Sequence, residues 1–271
     1  MAVALRCLVA PALAASGMKQ VSQAAPPRAP QPCGSAGAEL RRWTWNLLAV
    51  ISPSLVRFDA VLFDLDGTLL DTLRDIAESM NESLQSMGAP AMEIDEYRRY
   101  VGDGVAALAE RALPPDRRDA GTVARCVATM REIYSSRLAR WTLPYPGIPG
   151  LLDELAKRAT AIGVLSNKPH AMTTALVAQL LGRWHFSVVL GERPEVPRKP
   201  DPCAALEAAS ILASHPSRIL YLGDTGTDME TATRAGMFAV GALWGFRDRR
   251  ELEAAGAAAL VNAPREVVDL L

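Results

Sequence analysis

Short apolar runs alternate with helix-like stretches through residues 146–271. Four of these runs predict strands, near residues 161–165, 186–190, 219–222 and 238–243. The helix-like stretches beside them include residues 150–159, 172–181 and 203–213. Strands that alternate with helices form parallel sheets, because each helix carries the chain back to the edge where the next strand begins. The pattern therefore predicts an α/β fold, a three-layer doubly wound parallel sheet.

Residues 73–145 have helical rather than strand periodicity. One predicted helix has its apolar face at Leu73, Ile76, Ala77, Met80, Leu84 and Met87. A second has its apolar face at Val123, Cys126, Val127, Met130, Ile133 and Tyr134. We therefore expect a helical insert at 73–145, which divides the α/β core into residues 58–72 and 146–271.

Residues 1–57 are rich in Ala, Pro and Ser, and we expect a poorly ordered or targeting extension rather than core. The apolar run 2–15 is shorter than the roughly 20 residues that a membrane-spanning helix needs. Three interpretations stay open: a targeting peptide, a true start at Met18, or an amphipathic lead-in over 43–56. We expect a cytoplasmic protein, or an organelle-targeted or exported one if residues 1–40 are a genuine targeting segment.

The composition limits the kinds of molecule that the protein is expected to bind. The chain has 271 residues, is 49% hydrophobic and carries a formal net charge of −1. This length and apolar content allow one large core and an insert. A near-neutral chain with scattered basic residues gives no reason to expect nucleic acid or a membrane as a partner. Its four cysteines show no spacing typical of a metal or redox site, so we expect free thiols. Its three histidines lie far apart in the sequence, which does not favour a metal site.

Two carboxylates follow the apolar run 60–63 directly. Asp64 and Asp66 precede Gly67, which permits the chain to turn away. Alternate residues of a strand share a face, so both carboxylates start on the same side. Two unpaired carboxylates this close repel each other unless a cation joins them, which indicates a divalent metal. An isolated motif of this kind is more often an Asx turn, so the interpretation depends on the other polar clusters.

Three further polar clusters accompany this motif. They are Ser166-Asn167-Lys168, Lys199-Pro200 and Gly223-Asp224-Thr225-Gly226-Thr227-Asp228. The first and the last follow predicted strands, where open α/β sheets bind their ligands. In this order and context the set resembles the haloacid dehalogenase superfamily over about residues 58–271. The resemblance implies a Rossmann-like hydrolase core, with the helical insert as a small cap domain that closes over the site and selects the substrate.

The carboxylates suit phosphoryl transfer through a covalent intermediate. Asp64 is ionised near neutral pH and can attack phosphorus without a base. Asp66 would protonate the leaving alcohol and then take a proton from the water that hydrolyses the aspartyl-phosphate. Mg²⁺ would be held by Asp64, by a backbone carbonyl near Asp66 and by Asp224, and would offset the charge repulsion. Asp228 is either a further metal ligand or a solvated residue in the first turn of a helix.

Cationic and polar groups would hold the transferred phosphoryl group. Lys199, in a stretch stiffened by prolines, would supply positive charge, with the adjacent Arg198 as the alternative. The other predicted phosphate-binding residues are Gly67, Thr68, Ser166 and Asn167.

Within the superfamily, the chain looks most like the phosphoglycolate phosphatases. The likeness rests on the compact helical cap and on the stretches 100–104, 199–202 and 243–247. It implies a small phosphorylated metabolite as the substrate. A substrate carboxylate would need a cationic or N–H-rich partner in the cap, such as Arg99, Arg98 or the backbone near them.

Other functions stay open. A hexose-phosphate mutase, a sugar-phosphate phosphatase, a nucleotidase and a pyrophosphatase would use the same chemistry. The non-enzymatic alternatives are a nucleotide-binding α/β module and a phospho-acceptor domain. The first lacks a G-x-G-x-x-G loop after its opening strand, and the second needs neither the insert nor an acid/base residue two places after the acceptor. For the assembly, a homodimer is one option.

Overall fold

The computed structural model describes residues 58–271, which contain a large parallel sheet with helices on its faces. The strands are β1 (Ala60–Phe63), β2 (Leu70–Asp71), β3 (Leu143–Pro144), β4 (Ala161–Pro169), β5 (Val188–Glu192), β6 (Ile219–Gly223), β7 (Phe238–Ala242) and β8 (Ala259–Val261). The α-helices are α1 (Leu73–Ser86), α2 (Val105–Ala112), α3 (Ala120–Ser136), α4 (Ile148–Lys157), α5 (His170–Leu181), α6 (Cys203–Ile211), α7 (Gly226–Ala235) and α8 (Arg249–Ala254). Short 3₁₀ helices occupy Ile94–Arg99, Pro115–Arg117, Pro216–Arg218 and Pro264–Leu270.

The large sheet has six strands in the order β5-β4-β1-β6-β7-β8. Every adjacent pair in it is parallel. The chain enters at the centre, winds outward to β5 and then crosses back to build β6, β7 and β8 on the other side of β1. This is the doubly wound arrangement, and it confirms the α/β fold predicted from the alternating pattern.

Alternate side chains of β1 enter two different cores. Val61 and Phe63 belong to the hydrophobic cluster on one face of the sheet, while Ala60 and Leu62 belong to the cluster on the other face. All four side chains are fully buried. A strand covered on both faces has to be apolar throughout, which explains why the run before Asp64 shows no polar alternation.

Several strands differ from the sequence prediction: β5 lies two residues later than predicted, and the short strands β2, β3 and β8 were not predicted. β4 continues to Pro169, so Ser166-Asn167-Lys168 lies within the strand, beside an irregular register between Leu165 and Pro169. β8 was not predicted because its three residues are too short to form a recognisable apolar run.

The predicted apolar faces of the insert belong to α1 and α3, which pack against each other, and α2 packs against α3. Their buried side chains form a third hydrophobic cluster, apart from the two clusters on the sheet. The division of the chain into a core and a separate cap stays a prediction. Among residues 58–271, no helix combines the length and the apolar character needed to span a lipid bilayer. The predictions for residues 1–57 fall outside the described residues.

The two ends of the helical segment are joined by Asp75, a buried carboxylate in the first turn of α1. Its Oδ2 accepts hydrogen bonds from Thr142 N at 2.9 Å and from Thr142 Oγ1 at 2.6 Å. The N–H of Trp141 donates to both carboxylate oxygens, at 3.1 and 3.0 Å. These bonds fasten the return of the chain, just before β3, to the start of the segment.

We expect Asp75→Ala to lower the free energy of unfolding by about 3 kcal/mol, because it leaves two buried donors of Thr142 and the partly buried N–H of Trp141 without an acceptor. Urea denaturation of purified protein measures the change. Asp95→Ala serves as the matched control, since the side chain of Asp95 is 88% exposed. Equal stability of the two variants would show that the Asp75 hydrogen bonds do not hold the segment.

Candidate active site

The predicted polar clusters meet at one edge of the sheet, at the carboxyl ends of β1, β4 and β6. Asp64 follows β1, and Asp224 follows β6. Because β1 pairs with both β4 and β6, the ends of these three strands are neighbours. Lys199 reaches the same edge from the loop before α6, where the Lys199-Pro200 peptide is cis. The sheet topology thus gathers residues that lie far apart in the chain.

The turn after Asp64 brings the backbone against Asp224. Gly67 has a φ of +91°, and a Cβ on it would lie 2.3 Å from Oδ2 of Asp224. A side chain is therefore excluded both by conformation and by space. Thr68 donates from Oγ1 to Oδ1 of Asp224 at 2.9 Å, and the N–H of Phe246 donates to Oδ2 at 2.8 Å. Gly67 and Thr68 thus position Asp224, while their contact with phosphate stays a prediction.

Three carboxylates come together beside this turn. Carboxylate oxygens of Asp64, Asp224 and Asp228 lie within 4.8 Å of one another, and all three residues are buried. Burial raises the pKa of Asp64 well above its ordinary value, although Lys199 opposes the shift. Burial, followed by the nearby Asp228, raises the pKa of Asp224 to about 7. Crowded, dehydrated carboxylates favour a bound cation, which would stabilise their ionised forms.

Lys199 balances only part of this charge. Its Nζ lies 2.7 Å from Oδ1 of Asp64 and 2.6 Å from Oδ1 of Asp228, and it also donates to the carbonyl of Leu165 at 3.2 Å. Burial alone would lower the pKa of Lys199, but Asp228 and Asp64 outweigh it and hold the pKa well above its ordinary value. Whenever all three carboxylates are ionised, the single ammonium leaves a negative surplus, which a bound cation would offset. An all-oxygen donor set with that surplus fits a hard divalent cation such as Mg²⁺.

Asp228 is buried, so the alternative of a solvated residue in a first helical turn is wrong. Its Oδ2 accepts from the N–H of Thr225 at 3.0 Å and from Oγ1 of Thr225 at 2.7 Å. The bond from the N–H of Thr225, together with the reciprocal bond from the N–H of Asp228 to Oγ1 of Thr225 at 3.4 Å, forms a capping box at the start of α7. Asp228 therefore caps a helix with one oxygen and presents the other to Lys199.

The carboxylate of Asp66 pairs with Lys168 instead of joining the other three. Nζ of Lys168 lies 3.1 and 3.2 Å from the two oxygens of Asp66, and both side chains are largely buried. The same Nζ lies 4.4 Å from the ring centroid of Tyr134 on α3. Burial would lower the pKa of Lys168, but the charge of Asp66 outweighs it and raises the pKa above its ordinary value. Metal binding through a carbonyl near Asp66 stays a prediction.

Lys168 and Tyr134 are site residues that sequence reasoning missed. Lys168 was part of a recognised cluster, but its type and position gave no reason to pair it with Asp66, which lies 102 residues earlier. Tyr134 was placed on an apolar helix face, where a tyrosine is ordinarily core. The available signal was the position of Lys168 directly after Ser166 and Asn167.

Asn167 connects three parts of the site. Its Nδ2 donates to the carbonyls of Gly102 and Lys199, each at 3.1 Å, and its Oδ1 accepts from the N–H of Lys199 at 2.9 Å. Its amide is thus occupied in positioning the Lys199 loop against the helical segment. The hydroxyl of Ser166 accepts from the N–H of Lys168 at 3.2 Å and faces the cavity described next.

A cavity that is partly open to solvent lies between the carboxylates and the helical segment. The charged residues on its sheet side are Asp64, Asp66, Lys168 and Lys199. The helical segment contributes Gly102 and Gly104 together with a largely apolar wall.

The structure does not bring the predicted Arg99 into this cavity. Arg99 is exposed, and its carbonyl accepts a hydrogen bond from Arg247 at 3.3 Å. The guanidinium of Arg98 donates to the carbonyl of Gly245 at 3.3 Å, also away from the cavity lining. The arginine that does line the cavity is Arg131 of α3, which the sequence did not single out.

Comparison with known proteins agrees with this geometry. Residues 61–242 match the family model of the haloacid dehalogenase-like hydrolases. The chain belongs to this family. It is therefore a hydrolase, and the resemblance inferred from its ordered motifs is confirmed.

Similar proteins cover most of this chain. A phosphoglycolate phosphatase from Aquifex aeolicus is 33% identical over 69% of this chain and 85% of its own length. A phosphoglycolate phosphatase from Chromobacterium violaceum is 31% identical over 80% of this chain and 98% of its own length. A haloacid dehalogenase-like hydrolase structure from Streptococcus pneumoniae superposes with a TM-score of 0.71, covering 78% of this chain and 97% of that one, at 24% identity. The last comparison shows the shared fold.

Proposed function

We propose that this protein is a Mg²⁺-dependent phosphatase that hydrolyses a small phosphate monoester, with phosphoglycolate as the first candidate substrate. The observation that carries the proposal is the buried group of Asp64, Asp224 and Asp228. Lys199 bridges Asp64 and Asp228, and Asp64 lines a cavity that Asp66 and Lys199 also line. The names of the relatives from Aquifex aeolicus and Chromobacterium violaceum support the choice of substrate.

Asp64, Asp224 and Asp228 would hold Mg²⁺. When bound there, the ion supplies positive charge that offsets the repulsion between a carboxylate and a phosphate dianion. The pKa values of Asp64 and Asp224, both raised by burial, support the proposal of such a charge, because a nearby cation would favour the ionised carboxylates.

In the first half-reaction, a carboxylate oxygen of Asp64 attacks phosphorus. The new Asp64 O–P bond forms as the bond to the substrate alcohol breaks, and Asp66 donates a proton to the departing oxygen. Lys199 lies 2.7 Å from the attacking carboxylate, so its ammonium can remain beside the phosphoryl oxygens as charge moves onto them.

In the second half-reaction, water attacks the phosphorus of the aspartyl-phosphate. Asp66 takes a proton from that water, inorganic phosphate leaves, and Asp64 is restored. Lys168 fixes the carboxylate of Asp66 through its two close contacts, so that one residue can serve both steps from one position.

The helical segment would act as a cap. Tyr134 contacts Lys168 from α3, and Gly102 is bonded to Asn167, so the segment already touches the reacting side of the cavity. A cap over the site would exclude bulk water and admit only small esters. A homodimer stays a prediction.

We expect purified protein to release phosphate from phosphoglycolate only when Mg²⁺ is present. In a panel of phosphate esters, we expect few of the others to be hydrolysed. Colorimetric phosphate detection measures the rate. Removal of the metal with EDTA should abolish turnover, and excess Mg²⁺ should restore it, because the carboxylate group otherwise repels the substrate.

The panel also separates the rival functions. A hexose-phosphate mutase would transfer phosphate to a sugar and release little of it, so rapid release without a sugar acceptor excludes that role. Absence of phosphate release from every ester in the presence of Mg²⁺ would contradict the proposal and favour a phospho-acceptor or binding module.

A further inference from the structure

Arg131 is the charged residue in an otherwise uncharged wall. The other described residues that the helical segment contributes to the cavity lining are Ile76, Val101, Gly102, Gly104, Val105, Leu108, Met130 and Tyr134. The guanidinium of Arg131 puts one positive charge on this wall, which attracts an anionic group that enters the cavity. The wall is therefore suited to a ligand that is small and partly apolar and that carries a negative group.

Among the described residues, no carboxylate lies within hydrogen-bond distance of the guanidinium of Arg131, in contrast to the two lysines of the cavity. Lys168 and Lys199 each lie within hydrogen-bond distance of carboxylates. The carboxylate beside Arg131 is Glu192, whose Oε2 lies 3.8 Å away, too far for a hydrogen bond. The other oxygen of Glu192 accepts from Nε of Arg198 at 2.7 Å. Within residues 58–271, the donors of Arg131 are left available to a ligand.

Position along α3 places Arg131 near the reacting end of the cavity. Arg131 lies one helical turn before Tyr134, about 4.5 Å along the helix axis. The ring of Tyr134 covers Lys168, which in turn holds Asp66, the predicted proton donor to the leaving group. A group attached to the leaving alcohol by a short carbon chain would therefore approach Arg131. Its side chain is 43% exposed, so an entering substrate can reach it.

We propose that Arg131 binds the carboxylate of a substrate that carries one on the alcohol side of its phosphate ester, and so selects this class of ester over esters with an uncharged tail. The inference rests on the proposed phosphatase function and assigns the specificity of the same site. Guanidinium suits the role because its paired N–H groups match the two oxygens of a carboxylate.

The test compares two esters of similar size, phosphoglycolate and ethyl phosphate, in which a methyl group replaces the carboxylate. We expect Arg131→Gln to lower the ratio of kcat/KM for phosphoglycolate to that for ethyl phosphate by about 10- to 100-fold, the loss typical of one charge-assisted contact. Arg131→Lys, which keeps the charge but loses the paired geometry, should lie between the wild type and Arg131→Gln. Arg125→Gln is the matched control, because Arg125 is an exposed arginine of α3 that does not line the cavity.

The variants above are expected to lose activity on phosphoglycolate, whereas reversing the charge at residue 131 is expected to favour a different substrate. Arg131→Glu should raise kcat/KM for phosphoethanolamine, whose tail is an ammonium group, relative to that for phosphoglycolate. If Arg131 only balances Glu192, each variant would change both esters equally, and that result would overturn the inference. A wild type that cleaves ethyl phosphate and phosphoglycolate equally well would also overturn it while leaving the phosphatase proposal intact. Failure of the wild type on all esters would instead refute the phosphatase proposal.

Discussion

We expect Asp64→Asn to lower the rate of phosphate release by at least about 10⁴-fold while the protein stays folded. An amide oxygen is a poor nucleophile and carries no charge, so the bond from residue 64 to phosphorus no longer forms. The replacement is nearly isosteric, and the N–H of Asp64 keeps its hydrogen bond to the carbonyl of Leu222 at 2.9 Å. The buried Asp64 side chain also loses a charge that burial disfavours, which limits any loss of stability.

Steady-state phosphate release measures the loss of activity. Circular dichroism of the same preparation shows whether the protein stays folded. Asp59→Asn is the control, because Asp59 precedes β1 and its half-exposed side chain pairs with Arg218 at the surface. Mass spectrometry of wild-type protein trapped during turnover should place the phosphoryl group on residue 64. Near-normal activity of Asp64→Asn would remove Asp64 from the nucleophile role.

Lys199→Met should reduce both catalysis and stability. We expect kcat to fall by about 10²- to 10³-fold, because a positive charge beside the phosphoryl oxygens is lost. In the absence of Mg²⁺, the free energy of unfolding should fall by about 3–5 kcal/mol, since Asp64 and Asp228 lose the ammonium that lies 2.7 and 2.6 Å away. Methionine keeps most of the side-chain volume, so the effect reports the charge.

Denaturant unfolding with and without Mg²⁺ separates the two contributions. The cation should restore part of the lost stability, because it binds the same carboxylates. Lys157→Met is the control, since the side chain of Lys157 is 74% exposed on α4. If Lys199→Met matched this control in both kcat and stability, the bridge between Asp64 and Asp228 would have no functional importance.

Local patterns in the sequence were sufficient for the sheet and for the main acidic residues. A fully apolar run ending in Asp64 indicated a buried strand with a carboxylate at its mouth, and β1 has that form. The runs before Ser166 and Asp224 likewise indicated buried strands: the first forms the early part of β4, which continues to Pro169, and the second forms β6. Because parallel strands end at a common edge, the order of motifs placed these residues together without any knowledge of side-chain contacts.

Pairing between distant side chains was beyond the reach of these patterns. Lys168 could have faced solvent, phosphate or Asp66, and the sequence contains no period that selects among them. The two arginines show the same limit: Arg99 was predicted in the cavity, whereas Arg131 lines it. Helical periodicity reports which face is apolar, but it does not report which polar residue at the margin of that face points into a cavity.

The sequence by itself determined the parallel α/β fold, the helical character of residues 73–145, and the placement of Asp64 and Asp224 at the ends of neighbouring strands. Lys199 was assigned to the same site through the resemblance to a family. Only the tertiary structure decided that Lys199 bridges Asp64 and Asp228, that Lys168 holds Asp66, and that Arg131 faces the cavity. The physical reason is that periodicity and turn chemistry act over a few neighbouring residues. Which carboxylate pairs with which buried lysine depends instead on how separate helices and strands pack, because packing decides which side chains lie within hydrogen-bond distance.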